Sequence, residues 1–270
     1  MVAVALSIAG SDPSGGAGIQ ADLKTFARHG VYGCALPSLL TVQNTTSVRS
    51  VSVLPAAFVA EQLDAVLEDI TPHAAKTGAL GNAAIVDVVA LRFARARIPL
   101  VVDPVRIAKH AASLLADDAR DALLDRLLPV TALLTANADE AAWLSGLPVR
   151  DHEQALHAAR ALRERGAAAV MIKGGHLPGV DALDLLLHAG GVCELRAPRV
   201  ATRHTHGVGC TLSAAIAANL ALGLGLIAAC ERAKRWLSAA IANSPGVGHG
   251  CGAVDHLLAP PPLDLDGGAR

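Results

Sequence analysis

A thiol, two glycines and the start of a helix converge in Thr205-His206-Gly207-Val208-Gly209-Cys210, which runs straight into the helix-forming stretch 211–220. The glycines let backbone amides crowd together, and the helix adds unpaired N–H groups and the positive end of its dipole. A spot of this kind holds an anion. Beside it, Cys210 has the chemistry of a base that activates an attacking hydroxyl, or of a nucleophile. Taken alone, the segment reads equally as a glycine-rich turn with a buried cysteine.

Three other segments carry compatible chemistry. Lys173-Gly174-Gly175-His176 follows an apolar run, and its lysine is a point charge suited to the oxygens of a transferring phosphoryl group. Asn137-x-x-Glu140 follows another apolar run. That pair suits Mg²⁺ held through its waters, and suits equally a helix N-cap with its capping-box glutamate; the two roles are compatible. Gly10-Ser-Asp-Pro-Ser-Gly-Gly-Ala-Gly18 lacks the Lys-Ser/Thr of a Walker loop and fails the dinucleotide fingerprint. It opens onto a segment with Asp22, which reads either as a carboxylate accepting hydrogen bonds from a small polar substrate or as a solvated first-turn helix charge. An anion hole, a lysine and a carboxylate–amide pair describe phosphoryl transfer better than acyl transfer. A cysteine hydrolase needs a histidine aimed at its thiol; His206 leaves that option open but gives the lysine and the Asn/Glu pair no use.

The elements that must position these groups alternate along the chain. Short aliphatic runs at 2–8, 35–42, 73–78, 100–105, 132–136 and 169–173 predict strands, and amphipathic runs at 18–29, 56–70, 83–97, 117–128, 139–145, 151–165, 210–222 and 227–242 predict helices. Asp151 and Gln154 form an expected capping box, and Gly166 an expected stop. Residues 184–188 and 192–195 predict an edge hairpin. The alternation implies a mostly parallel sheet with helices on both faces, whose ligands bind beyond the carboxyl ends of the strands. One domain over residues 1–258 and a frayed tail over 259–270 are expected.

Composition narrows the partners. The 270 residues are 52% hydrophobic, with three Phe, two Trp and one Tyr, so the core is aliphatic and base-stacking platforms are scarce. A formal charge of −1 offers no electrostatic footprint for nucleic acid or an anionic membrane. Five scattered cysteines without a C-x-x-C pair suggest neither a disulfide framework nor a zinc site, and fit a reducing cytoplasm. No signal peptide and no membrane span are expected.

The segments 8–24, Gln43-Asn-Thr45, Lys76-Thr-Gly78, Asp103-Pro-Val105, Lys173-Gly-Gly-His176, Thr205–Ser213 and Gly248-His-Gly250, in that order, closely resemble the hydroxymethylpyrimidine/phosphomethylpyrimidine kinases of thiamine biosynthesis, within the ribokinase-like superfamily. The resemblance implies a ribokinase-like three-layer α/β/α sandwich. It further implies an ATP- and Mg²⁺-dependent enzyme, homodimeric, that phosphorylates 4-amino-5-hydroxymethyl-2-methylpyrimidine and then its monophosphate. Carried over residue by residue, Cys210 takes the base position that most ribokinase-like enzymes fill with Asp, and the amides of Gly207, Val208, Gly209 and Cys210 form the anion hole. Gly10, Asp22, Gln43, Ala79 and Val105 line the pyrimidine pocket. Lys173 approaches the ATP phosphates, Asn137 and Glu140 support Mg²⁺, and Thr205, His206 and Lys234 lie near the nucleotide. Several residues depart from the family pattern: Ala79 stands where Met is frequent, Arg106 and His110-Ala-Ala follow Asp103-Pro-Val105, Ala136 replaces a proline, and Val208 replaces a threonine. The enlarged space at Ala79 leaves a pyridoxal or pyridoxine kinase as one alternative. A non-catalytic pyrimidine-sensing module is another.

Overall fold

The fold was analysed in a computed structural model that describes residues 2–107 and 112–263. Among these, nine strands form one sheet: β1 (Val4–Ser11), β2 (Tyr32–Gln43), β3 (Val48–Val53), β4 (Ala74–Thr77), β5 (Leu100–Val102), β6 (Leu133–Ala136), β7 (Val170–Ile172), β8 (Asp181–His188) and β9 (Gly191–Pro198). The order is β3-β2-β1-β4-β5-β6-β7-β8-β9. From β2 to β7 neighbouring strands run parallel, while β3 at one edge and the β8–β9 hairpin at the other are antiparallel. Strand order reverses at β1, whose neighbours are β2 and β4, so a ligand crevice is expected above the carboxyl ends of β1 and β4.

Period-two alternation divides the buried side chains between the two faces. Leu6, Ile8, Leu100, Val102, Leu134, Val170 and Ile172 pack under α2 (Ala56–Asp69), α3 (Ala83–Phe93), α4 (Ala119–Ala122), α5 (Ala138–Ser145) and α6 (His152–Glu164). Ala5, Val101, Leu133, Met171 and Leu186 pack under α1 (Gly18–Arg28), α7 (Val208–Ala221) and α8 (Leu226–Ala242). Both faces of the strands are therefore apolar, as a parallel sheet between two helical layers requires. This is the three-layer α/β/α sandwich expected from the sequence.

Four local expectations are revised. Val-Arg-Ser-Val-Ser-Val forms β3, an edge strand with no fully buried side chain and hence no apolar face to announce it. The helix expected over 117–128 is a four-residue α4 followed by a π turn at Leu123–Leu127 and a 3₁₀ turn at Leu128–Val130, broken at Pro129. Asp151 caps α6 by accepting the Gln154 N–H at 2.8 Å, but the Gln154 side chain reaches back to Arg150 N–H instead of closing a box on Asp151. The start of the expected tail is held, since Arg232 donates to Pro261 O at 2.6 Å; residues 264–270 lie outside the described residues, as do His110 and Ala111.

Two histidines are sealed in the α1/α7/α8 layer. His29 donates from Nδ1 to Thr25 O at 2.9 Å and stands edge-on to Trp236, and His256 Nε2 is hydrogen-bonded with Thr211 Oγ1 at 3.0 Å. Burial, which disfavours the imidazolium, lowers both to about 4. Below about pH 6.5 the unfolded chain takes up protons that the folded chain refuses, so stability is full above that pH and falls as pH drops toward 4. The expected loss is about 3 kcal/mol per histidine. Melting temperature followed from pH 7 to 4 should show this slope, and His29→Leu should flatten it; a slope unchanged by that substitution would assign the acid lability elsewhere.

Candidate active site

A cavity of about 710 Å³ opens at the carboxyl ends of β1, β4, β5, β6 and β7, closed on the far side by the start of α7 and by α8. Its volume is in the range of small-molecule and cofactor sites. Every residue given a catalytic, substrate, nucleotide or metal role from the sequence lines it, with the exception of Asp22.

The anion hole is built by backbone. Gly207 precedes α7 with φ +73° and ψ 9°, a left-handed conformation, and the first bond of the helix runs from Thr211 N–H to Gly207 O at 2.8 Å. The N–H groups of Val208, Gly209 and Cys210 come before that bond and belong to the first turn, where the helix dipole is positive. A Cβ at Gly207 would lie 1.8 Å from Gly16 O, and one at Gly209 would lie 3.3 Å from Lys173 Nζ and 3.4 Å from Asp103 Oδ2. Close approach of the two glycine loops, and of the lysine to the helix start, thus requires both glycines. Gly207→Ala is expected to cost about 1–2 kcal/mol from backbone strain alone, with the clash on top. Its melting temperature should fall by at least about 3 °C. An unchanged melting temperature and unchanged ATP KM would show that the loops part without penalty.

The charges around this hole are paired. Lys173 Nζ lies 2.8 Å from Asp103 Oδ1 and 3.5 Å from Glu140 Oε2. Burial acts to lower Lys173, but the Asp103 and Glu140 carboxylates outweigh it and hold the ammonium above the ordinary lysine value. Burial likewise raises Glu140, against the pull of Lys173. Cys210 is pushed up to about 11, first by burial; Lys76 pulls the other way, Asp22 and Asp103 add to the rise, and the Gly18 N–H donates to the sulfur. At neutral pH the group is therefore a thiol.

Asn137 and Glu140 form the reciprocal cap: the Glu140 N–H donates to Asn137 Oδ1 at 2.9 Å and the Asn137 N–H to Glu140 Oε2 at 2.8 Å. Their bonded oxygens serve α5. Lys234 lines the cavity with its ammonium 2.7 Å from Asp184 Oδ2, and Asp184 Oδ1 accepts the Gly174 N–H at 2.8 Å, so this pair fixes the turn that follows Lys173.

Asp22 departs from its expected place. Its side chain is fully buried, with Oδ2 accepting from Ser7 Oγ at 2.6 Å and Lys76 Nζ reaching both oxygens at 3.0 and 3.2 Å. The carboxylate is sealed from the cavity and does not line it, so it acts from below the floor.

Sequence reasoning assigned no role to four groups. Asp103 follows β5 directly, and its Oδ2 is buried without a hydrogen-bond partner while facing the first turn of α7. The signal was available, for it is a strand-end residue like Lys173. Lys76 lies in β4, where its charge is hidden beneath the cavity. Asp12 gathers the first glycine loop by accepting from Ser14, Gly16 and Ala17, and receives His206 Nε2 at 2.8 Å, with Gln43 at 3.1 Å from the same nitrogen. Burial acts to raise Asp12, but the His206 and Ser14 hydrogen bonds overcome it and hold its carboxyl below the usual range. Arg199 donates to the carbonyls of Gly174, Gly175, Leu177 and Gly179.

Residues 12–255 match the family model described as phosphomethylpyrimidine kinase. The chain belongs to the phosphomethylpyrimidine kinase family. Among its relatives, the hydroxymethylpyrimidine/phosphomethylpyrimidine kinase of Synechococcus elongatus is 46% identical over 257 residues, covering 95% of this chain and 98% of that protein. The thiamine biosynthesis bifunctional protein ThiED of Geobacter sulfurreducens is 44% identical over 94% of this chain, which spans 52% of that longer protein. Among solved structures, an ADP complex of Bacillus subtilis pyridoxal kinase superposes with a TM-score of 0.87 at 33% identity, covering 95% of this chain and 98% of that one. The phosphomethylpyrimidine kinase family is thus matched across both glycine loops and the lysine turn.

Proposed function

We propose that this cavity transfers the γ-phosphoryl group of ATP to the hydroxymethyl group of 4-amino-5-hydroxymethyl-2-methylpyrimidine and then phosphorylates the resulting monophosphate, in thiamine biosynthesis. The observation that carries the reading is the meeting of Cys210, Lys173 and Asp103 at the first turn of α7, in a chain 46% identical to a kinase named for both steps. Transfer through a loose transition state asks for positioning and charge neutralisation. The amides of Val208, Gly209 and Cys210 and the Lys173 ammonium meet the phosphoryl oxygens, and Cys210 in its thiolate form accepts the alcohol proton and returns to the thiol. Gly10, Gln43, Ala79 and Val105 take the ring. Ala79, with its small buried side chain, leaves room there.

Mg²⁺ accompanies ATP in this reading. The unpartnered Asp103 Oδ2 fits a hard, oxygen-seeking cation, and Glu140 and Asn137, which line the same cavity, would support it through its waters. When bound, the ion neutralises charge on the β- and γ-phosphates.

A cytoplasmic homodimer belongs to the same proposal. No helix among the described residues is long and apolar enough to cross a membrane, and Leu40, Val42 and Val53 expose apolar side chains on β2 and β3. Light scattering decides the oligomeric state.

The functional test is turnover with ATP/Mg²⁺ on the pyrimidine alcohol, its monophosphate and pyridoxal, with products separated by phosphate count. Both pyrimidine phosphates are expected. Pyridoxal phosphate alone would favour the second reading, which the pyridoxal kinase likeness supports, and binding without ATP consumption would make the protein a sensor.

A further inference from the structure

Four lysine or arginine side chains line the cavity among the described residues: Arg106, Lys173, Arg199 and Lys234. Three have acceptors. Lys173 is held by Asp103 and Glu140, Lys234 by Asp184, and Arg199 by four backbone carbonyls. The half-buried guanidinium of Arg106 has no acceptor among the described residues; it lies 5.4 Å over the ring of Trp143.

The position of Arg106 is fixed at both ends. Its carbonyl accepts the Leu114 N–H at 2.8 Å, and Ile107 bridges to Ser113, so the backbone is tied while the side chain stands in the cavity. Trp143 is anchored in turn, because Arg120 donates to its carbonyl at 2.7 Å. Trp143 follows Glu140 by three residues on α5, which puts the two on one helix face, a turn apart. Glu140 is the residue that touches Lys173. Arg106 therefore stacks on a residue one helical turn along α5 from Glu140, and it follows Val105, another residue of the cavity lining.

Charge explains why a fourth, uncommitted cation belongs there. In the first step the acceptor is a neutral alcohol. In the second it is a phosphate monoester, a dianion that must approach the phosphates of ATP. Lys173 and the α7 amides already serve the nucleotide, so the acceptor's phosphate needs a cation of its own. A guanidinium on an indole face is held by about 0.5–2 kcal/mol. A phosphate takes two parallel, charge-assisted hydrogen bonds from it and wins the exchange. Arg106 is then a specificity residue held in reserve on Trp143 until an anionic acceptor enters.

We infer that Arg106 leaves the Trp143 ring to bind the phosphate of the monophosphate acceptor and so favours the second phosphorylation over the first. This rests on the functional reading above.

The test compares wild type with Arg106→Met and Arg106→Lys through the ratio of kcat/KM on the monophosphate to kcat/KM on the alcohol, together with calorimetric binding of the monophosphate without nucleotide. In Arg106→Met the ratio should fall by about 10–100-fold, as loss of a charged hydrogen-bond pair implies, and monophosphate binding should weaken in parallel. Arg106→Lys should recover part of both. Trp143→Leu keeps the guanidinium and removes its rest, so its ratio should stay at or above that of wild type. The inference is overturned by an unchanged ratio, by equal losses on both acceptors, by a raised ATP KM at constant ratio, which would assign Arg106 to the nucleotide, or by a Trp143→Leu ratio as low as that of Arg106→Met. Wild-type protein that phosphorylates no pyrimidine would instead overturn the functional reading, and this inference with it.

Discussion

Replacement of Cys210 by alanine is expected to lower kcat on the pyrimidine alcohol by about 10²–10⁴-fold while changing its dissociation constant little, because a base acts in the transition state. The thiol lies at the first turn of α7 with its proton held by burial up to about 11. Thiolate is scarce at neutral pH, about one molecule in 10⁴, so turnover should climb with pH through 7–9. Cys210→Asp puts a stronger acid there and should restore part of the rate with its acid limb at lower pH. The second step meets an acceptor that is already an anion and should suffer less from Cys210→Ala than the first. If binding and turnover fell together, Cys210 would be a packing residue; if turnover held, another group would take the proton. Single-turnover rates beside calorimetric affinities separate these outcomes.

Lys76→Met is expected to destabilise the fold by about 3–5 kcal/mol, since it strands a buried carboxylate. Asp22 and Lys76 are both fully buried, and Ser7 is the only other donor recorded for that carboxylate among the described residues. The double variant Asp22→Leu/Lys76→Met removes both charges and should recover most of the loss, as measured by the denaturation midpoint. A double variant no better than the single would mean that the packing of the chains, and not their charge, carries the cost. Lys76 also opposes the burial that raises Cys210, so the single variant should push the alkaline rise in turnover to higher pH, a shift that a purely structural role would not produce.

The framework was legible because β5, β6 and β7 are short, mainly apolar runs, bounded by turn residues, between amphipathic helices; both halves of that pattern are local. β3 was not legible, for an edge strand with Arg49, Ser50 and Ser52 in it has no buried face to betray it. The strand-end residues Lys173 and Val105 could be placed by topology alone, because ligands of such sheets bind at one edge, and Cys210 could be placed by the glycine loop that opens its helix. Asp22 could not. It sits on α1 near the glycine loop, and only the three-dimensional approach of Lys76 from β4, 54 residues away, turns it from a pocket-lining carboxylate into half of a buried pair. Asn137 and Glu140 carried two readings in one motif, and their backbone bonds satisfy the capping reading while leaving the carboxylate beside Lys173.

The Asp12–His206 bond spans 194 residues. A ribosome adding about 5–20 residues per second must work for roughly 10–40 s after making the first glycine loop before its histidine exists. During that interval Asp12 has neither its histidine partner nor the wall formed by Gly207 against Gly16. The nascent chain can assemble much of the central sheet, but the catalytic mouth is necessarily the last part to close. Truncated chains that end before α7 are therefore born without a site, whatever share of the sheet they have folded.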